Sequence, residues 1–479
     1  MWTPPCETGV ALSILAASCA TALAFQAERG DVLGEITAQA LREHVTTLAS
    51  DELGGRRTGT PGAAAAARYL AGVLAGAGVE PAGDEGTFLQ RMPMGQTEYS
   101  AVPQLTLRLA DGSERAAVYG VDFDVVAGAG EISSSALSFA RSPEEIPRDP
   151  PEDGVLYVSG SSRERNAWLE AAGCLEGEGW ALLVTRGSST TGRKARTDPP
   201  RRRNEIAPTP IVRVRGELRE RFEAGEVQHL TYDAPARVQT LESYNVVGRM
   251  RGVGTADRPE LAREVIVFSA HYDHLGEHGD PEQADTIYNG ADDDASGCAA
   301  VLELARALGK GPKPARTLIF LLATGEEMGL IGTRFYLDHP AEPLANTVTN
   351  LNFEMIGRPD ELVGGAGRLW LTGFERSNLG EAFQAAGLPV SEDLRPEQSF
   401  FSRSDNFAFA RKGIVAQTLS SYNLHTDYHT VRDEADKLDY EHMQACVRAA
   451  YSGARALADG SLTPAWKPGG NPAEDSQRR

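Results

Sequence analysis

The chain has 479 residues, 41% of them hydrophobic, with 50 Gly, 27 Pro and a formal net charge of −20. That length exceeds one small core and calls for several domains, or for one domain carrying an insertion. The acidic balance excludes nucleic acid or an anionic membrane surface as the main partner.

Residues 10–25, VALSILAASCATALAF, form the longest apolar run, shorter than the roughly 20 residues a membrane span needs. Small residues at Ala22 and Ala24 make it read as a secretory signal over 1–24, so export to the periplasm or the extracellular space is expected. Residues 1–9 contain Glu7 and no Lys or Arg, which departs from the usual basic start. Lipid attachment through Cys19 is the alternative. Cleavage would leave Cys174, Cys298 and Cys446, too scattered for a disulfide framework or a Cys-type zinc site.

Within 36–53, Leu41, Val45 and Leu48 recur at helical spacing. The loop GGRRTGTPG follows, with Pro61 placed to open a second helix over 63–78 that ends on Gly78. Residues 87–130 alternate like strands, and 28–130 is taken as the first part of the main domain. From 131 to 237 short β-like runs (155–158, 180–184, 210–214) lie among Pro- and Arg-rich loops, which reads as an inserted β-rich domain. Its basic loop, with Arg193, Lys194, Arg196, Arg201, Arg202 and Arg203, reads as solvated surface on an acidic protein.

Over 238–460 apolar strands alternate with helical segments: 265–270, 317–324, 349–355 and 413–420. That alternation predicts an α/β fold, a mostly parallel sheet covered by helices on both faces. The Pro/Gly/charge-rich tail, 461–479, reads as disordered.

The chemistry sits where those strands stop. Val265–Ala270 runs into His271 and Asp273, and three consecutive aspartates, Asp292 to Asp294, precede a helix starting near Ser296. Glu326 and Glu327 follow the next strand, Glu354 the one after, and His425 and His429 lie near the C-terminus. In an open α/β sheet this is the crevice at the carboxyl ends of the strands. Imidazole and carboxylate are zinc ligands, and two ions sharing a carboxylate clamp a nucleophile and a developing oxyanion together. A bridging Asp and two Glu give three negative charges against four positive, and a bridging hydroxide brings the cluster to neutrality. Of two adjacent glutamates one can bind metal while the other reaches the water. Asp292-x-Asp294-x-Ser296-Gly297…Glu303 also approximates a calcium loop, but the preceding GDPEQADTIYNGA cannot form the helix that loop requires.

The string AHYDHLG…YNGADDDASG…ATGEEMGLIG…NFEMIG…YHTVRDEADKLD resembles the secreted di-zinc aminopeptidases of the glutamate carboxypeptidase and transferrin receptor superfamily, over about 244–445. LASDELGGRRTGTPGAAAAARYLAG resembles the N-terminal portion of that family, and the insertion resembles a protease-associated domain. The resemblance implies two Zn2+ per chain and a peptide substrate with a free N-terminus. It implies His271 and Glu327 as terminal ligands, Asp293 as the bridge, and Glu354 with His429 completing the second ion. Glu326 is implied as general base, Tyr428 as oxyanion stabiliser, and Asp273 as the group orienting a ligand imidazole. Two departures stand out: Glu354 where many relatives have Asp, and Asn406 where they often have His. A carboxypeptidase, a glutaminyl-cyclase-like enzyme with one zinc, and a non-catalytic binding relative are the alternatives.

Overall fold

The computed structural model describes residues 32–477 except 160–167, 169–170, 174–178, 188–192, 198–202, 206–208 and 279–283. The expected signal segment, Cys19, Cys174, Arg201 and Arg202 lie outside the described residues. Contacts divide the chain into an inserted unit, Pro93–Glu242, and a main unit made of the segments on either side.

The inserted unit begins well before the expected residue 131. Gln104–Leu109 pairs with Val227–Ala234, and Phe123–Ala127 with Ile211–Val214. The shift to Pro- and Arg-rich composition marks the loops, whereas the domain boundary follows strand pairing, which composition does not reveal. A four-stranded and a five-stranded sheet result, sharing a core that includes Leu107, Val125, Val155, Val184, Val212 and Leu230. The basic loop is partly tied down. Arg193 donates to the Gly120 carbonyl (2.8 Å) and to Asp124 (3.0 Å), and Arg196 lies over the Tyr119 ring.

In the main unit, helix α1 (Ala38–Leu48) is capped by Thr37 and buries Leu41, Val45 and Leu48. Helix α2 (Pro61–Gly76) opens on the Thr60 cap with Pro61 in its first turn; the chain then turns at Gly78, φ +73°. The ten-stranded sheet includes β1 (Ala236–Met250), β2 (Val265–His271), β3 (Thr317–Ala323), β4 (Thr347–Phe353), β5 (Leu369–Leu371), β6 (Val390–Glu392) and β7 (Val415–Ser420), in the order β1-β3-β2-β4-β7-β5-β6. Neighbours β3, β2, β4 and β7 are mutually parallel, so their carboxyl ends share one rim, as the alternation of strands and helices predicts.

Both faces are covered, and the period of two shows how. Ile266, Phe268 and Ala270 of β2 join one core with α1, α2, helix α3 (Gly297–Lys310) and helix α7 (Tyr440–Ala458). Val265 and Val267 join the other, with Tyr336 and Leu337 of helix α4 (Ile331–Asp338) and Phe409 of helix α6 (Asn406–Arg411). Among the described residues no helix is long and apolar enough to cross a membrane.

The tail from 461 is ordered as far as it is described, which corrects the sequence expectation. Trp466 donates to the Gly413 carbonyl (2.9 Å) and packs against both cores, and Lys467 N–H bonds the Arg376 carbonyl (2.8 Å). One large aromatic ring supplies the apolar area that the surrounding Pro/Gly-rich sequence lacks.

The GGRR loop has a structural task. Arg56 is fully buried, and its guanidinium donates to the carbonyls of Leu48, Tyr272, Asn289 and Gly290. It ties α1 to the chain just beyond β2 and to the turn before the three aspartates. Arg56→Ala strands these buried acceptors and is expected to cost about 3 kcal/mol or more, read as a lower urea midpoint. Lysine, lacking the planar fork, should not restore it; a midpoint unchanged in Arg56→Ala would contradict this role.

Candidate metal centre

The rim of β2, β3, β4 and β7 gathers the acidic and imidazole side chains singled out from sequence. His271 is the last residue of β2, Glu354 follows β4, and the Glu326–Glu327 pair follows β3. The aspartates form an irregular turn ahead of α3, and His429 sits beyond β7 with φ +55°. Such backbone at a non-glycine residue costs about 1–3 kcal/mol and clusters at functional sites.

Two groups of ligand atoms converge, one from His271, Asp293 and Glu354, the other from His274, Asp293, Glu327 and His429. Within each group all ligand atoms lie within 4.8 Å of one another, and Asp293 belongs to both. His271 Nε2 is 3.1 Å from Asp293 Oδ1, while His429 Nε2 is 3.1 Å from Asp293 Oδ2 and 3.2 Å from Glu327 Oε1. The partition differs from the one the resemblance implies: Glu327 groups with His429, and Glu354 with His271. In the sheet β2 lies between β3 and β4, so His271 has a glutamate on either side, and sequence order cannot say which one joins it.

Local hydrogen bonding explains why Asp293, of three aspartates, faces the groups. Asp294 accepts from the backbone N–H of His271, Gly297 and Met355. Asp292 accepts from Gly357 N–H (2.7 Å) and lies 3.0 Å from His425 Nε2, which also occupies His425 away from the centre. Asp433 accepts from the N–H of both Asp292 and Asp293, pinning the His429 segment to the turn. Glu354 is held by Ser404 Oγ and, at 3.4 Å, by Asn352 Nδ2. The extra methylene relative to Asp is thus accommodated by a hydroxyl that fixes the longer arm.

Asp273 faces His271 Nδ1 with its carbonyl at 3.2 Å and its carboxylate Oδ1 at 3.7 Å, and that carboxylate also accepts from Glu326 N–H (3.1 Å) and Thr58 Oγ1 (3.0 Å). Asn406 is engaged within the fold, donating to the Phe401 carbonyl and accepting from Thr418 Oγ1. The residue that sequence reasoning missed is His274, fully buried three residues after His271; the signal was the second His of HYDH.

An open pocket of about 490 Å³ adjoins the centre. Its lining includes the carboxylates Asp293, Glu326 and Glu354, the aromatic rings of Trp370, Phe400, Tyr422 and Tyr428, and Arg403. Tyr428 stacks on His429 at 3.8 Å between ring centroids.

The electrostatics call for cations. Burial, followed by neighbouring carboxylates, holds Glu326 well above the ordinary range and pushes Glu354 up to about 8. Burial alone would raise Asp293 too, but His271 and His429 beside it hold it well below. Burial would lower His429, yet Asp293 and Glu327 raise it to about 10. His271 Nε2, His274 Nδ1 and Glu327 Oε1 are buried with no hydrogen bond of good alignment, although carboxylate and imidazole atoms stand 2.9–3.1 Å apart. Ligands about a common ion with 2.0–2.2 Å bonds would be separated by about 3.4 Å. The donor set and its spacing fit zinc.

The profile of Peptidase family M28 matches residues 245–453. The chain is 31% identical over 232 residues to leupeptin-inactivating enzyme 1 of Streptomyces exfoliatus, covering 47% of this chain and 48% of that enzyme. It is 27% identical over 190 residues to aminopeptidase YwaD of Bacillus subtilis, covering 38% of each. A vacuolar membrane protease of Lachancea thermotolerans matches at 26% over 223 residues, 43% of this chain and 20% of that protein. The chain thus spans between about a fifth and a half of the length of these relatives. In fold it is similar to the aminopeptidase from Aneurinibacillus sp. strain AM-1, with a TM-score of 0.51 at 20% identity, covering 90% of this chain and 96% of that one.

A pH dependence follows for metal-stripped protein. Glu354 near 8, and Asp273 and Asp433 both near 6, all lie above the ordinary carboxylate range, burial being the largest cause for each. Groups raised by folding stabilise fully below their unfolded pKa, and that contribution is lost as pH climbs through the folded values. Stability of the stripped protein should therefore fall from about pH 5 to about pH 8, and added zinc should recover it at the upper end. A urea midpoint that is flat or rising over that range without metal would contradict the charge assignment.

Proposed function

Because the profile of peptidase family M28 matches residues 245–453, we propose that the chain is a zinc-dependent exopeptidase, an aminopeptidase removing N-terminal residues from peptides. The observation that carries this reading is the pair of ligand groups sharing Asp293, with Glu326 on the pocket side of them. His271, Asp293 and Glu354 would hold one ion; Asp293, Glu327 and His429 would hold the second. Zinc, when bound, supplies Lewis-acid polarisation of the scissile carbonyl and of the attacking water.

The chain's own groups do the rest. Glu326, fixed through its backbone N–H on Asp273, accepts the proton of the attacking water and returns it to the leaving amine. Tyr428, beside Glu326 and Glu354 in the pocket lining, donates its hydroxyl to the tetrahedral oxyanion. The acidic wall receives the α-ammonium of the substrate, and Trp370, Phe400 and Tyr422 receive an apolar N-terminal side chain. Two ligand groups favour this reading over a cyclase-like site with one zinc. Export through the segment 1–24, and a protease-associated character for the inserted unit, belong to the same proposal.

Purified protein should carry zinc and hydrolyse aminoacyl anilides, fastest with apolar N-terminal residues, and lose activity to a chelator. Glu326→Gln should keep its zinc while kcat falls by about 10²–10⁴. Full activity after exhaustive removal of divalent ions would overturn the mechanism, and an active, zinc-loaded Glu326→Gln would remove Glu326 from the role of base.

A further inference from the structure

Resting on that di-zinc reading, we propose that His274 is a fourth protein ligand to one ion. The His274–Asp293–Glu327–His429 group is then a closed site, and the His271–Asp293–Glu354 group an open one. The consequence is a division of labour. The open site keeps a position for water and substrate, whereas the closed site serves to fix Asp293 and Glu327.

Three observations carry this. First, the His274 side chain has no solvent exposure, and both of its ring nitrogens are buried without a hydrogen bond of good alignment among the described residues. Its Nδ1 stands 2.9 Å from Glu327 Oε1 and 3.9 Å from Asp293 Oδ2. With His429 Nε2 at 3.1 and 3.2 Å from those same carboxylates, the spacings bracket the roughly 3.4 Å edge of a zinc tetrahedron. Second, the ring is positioned by backbone. A Cβ on Gly290, itself at φ +58°, would lie 2.4 Å from His274 Cγ, so the turn before the aspartates packs directly against the imidazole. Third, the other group supplies only three protein ligands among the described residues, and its Glu354 lines the pocket with Glu326, whereas His274, Glu327 and His429 do not.

The competing role for His274 is an N–H donor that merely orients Glu327. Asparagine separates the two, because its amide can donate from near the Nδ1 position but is a poor zinc ligand. Graded chelation of the zinc-loaded full chain, with metal analysis at each step, should release zinc from the wild type in two steps. His271→Ala should retain one tightly held ion. His274→Ala should weaken the tighter site by roughly 10- to 100-fold or more, with folding checked by circular dichroism. His274→Asn should be as weak as His274→Ala. Release of both ions in one step from the wild type overturns the proposal. So does a tighter site that stays within two-fold in His274→Ala, or recovery of affinity in His274→Asn. These results leave the di-zinc reading standing, whereas fewer than two zinc ions per wild-type chain overturns both.

Discussion

The structure depends on keeping an excess of negative charge at the end of a dry sheet. Glu326, Glu327, Glu354 and Asp293 converge there, with Asp405 close enough to raise Glu326 further. In a low-dielectric pocket, like charges at these separations cannot all stay ionised without compensating cations. Arg56, the fully buried Arg beside the turn, spends its donors on four carbonyls. It acts as a brace, and the neutralising charge must come from elsewhere. Divalent ions satisfy that requirement and the geometry of the imidazoles together.

Around this constraint the neighbouring polar groups take separate tasks. Asp292 and Asp294 are absorbed by backbone N–H groups, which closes the turn and leaves Asp293 facing the pocket. A buried polar ladder, Asn350 to Ser269 to Asn352 to Ser404, crosses β4 and β2 and ends on Glu354. The donors of this network are all paired, so any alternative side-chain arrangement would strand one of them; the Asn350 Oδ1 acceptor alone has no partner among the described residues. The precision of the centre is therefore built in the strands beneath it, and the loops only complete it.

Much of this was legible in the sequence, for identifiable reasons. β2, β3, β4 and β7 announce themselves as short apolar runs, the first three followed closely by His or carboxylate, and a parallel sheet puts their ends on one rim. Position along the chain thus translated directly into position in space, and His271, Asp293, Glu326, Glu327, Glu354, His429 and Tyr428 do meet. What composition could not show is pairing across long separations. Gln104–Leu109 belongs with Val227–Ala234, so the inserted unit starts earlier than its loops suggest. Trp466 anchors a tail whose composition reads as unstructured, because one ring can outweigh many polar neighbours.

The partition of ligands was illegible for a different reason. His271 leaves the sheet between β3 and β4, so Glu327 and Glu354 are equally plausible companions on order alone. The choice is made by a segment that returns from beyond β7. Asp433 bonds the N–H groups of Asp292 and Asp293, and this docks the segment so that His429 reaches Glu327 and the far oxygen of Asp293. The nearer oxygen and Glu354 are then left to His271. A carboxylate outside both groups thereby sets which side chains come together. Such a contact has no sequence signature beyond an Asp four residues after a His, in a stretch rich in other acidic residues.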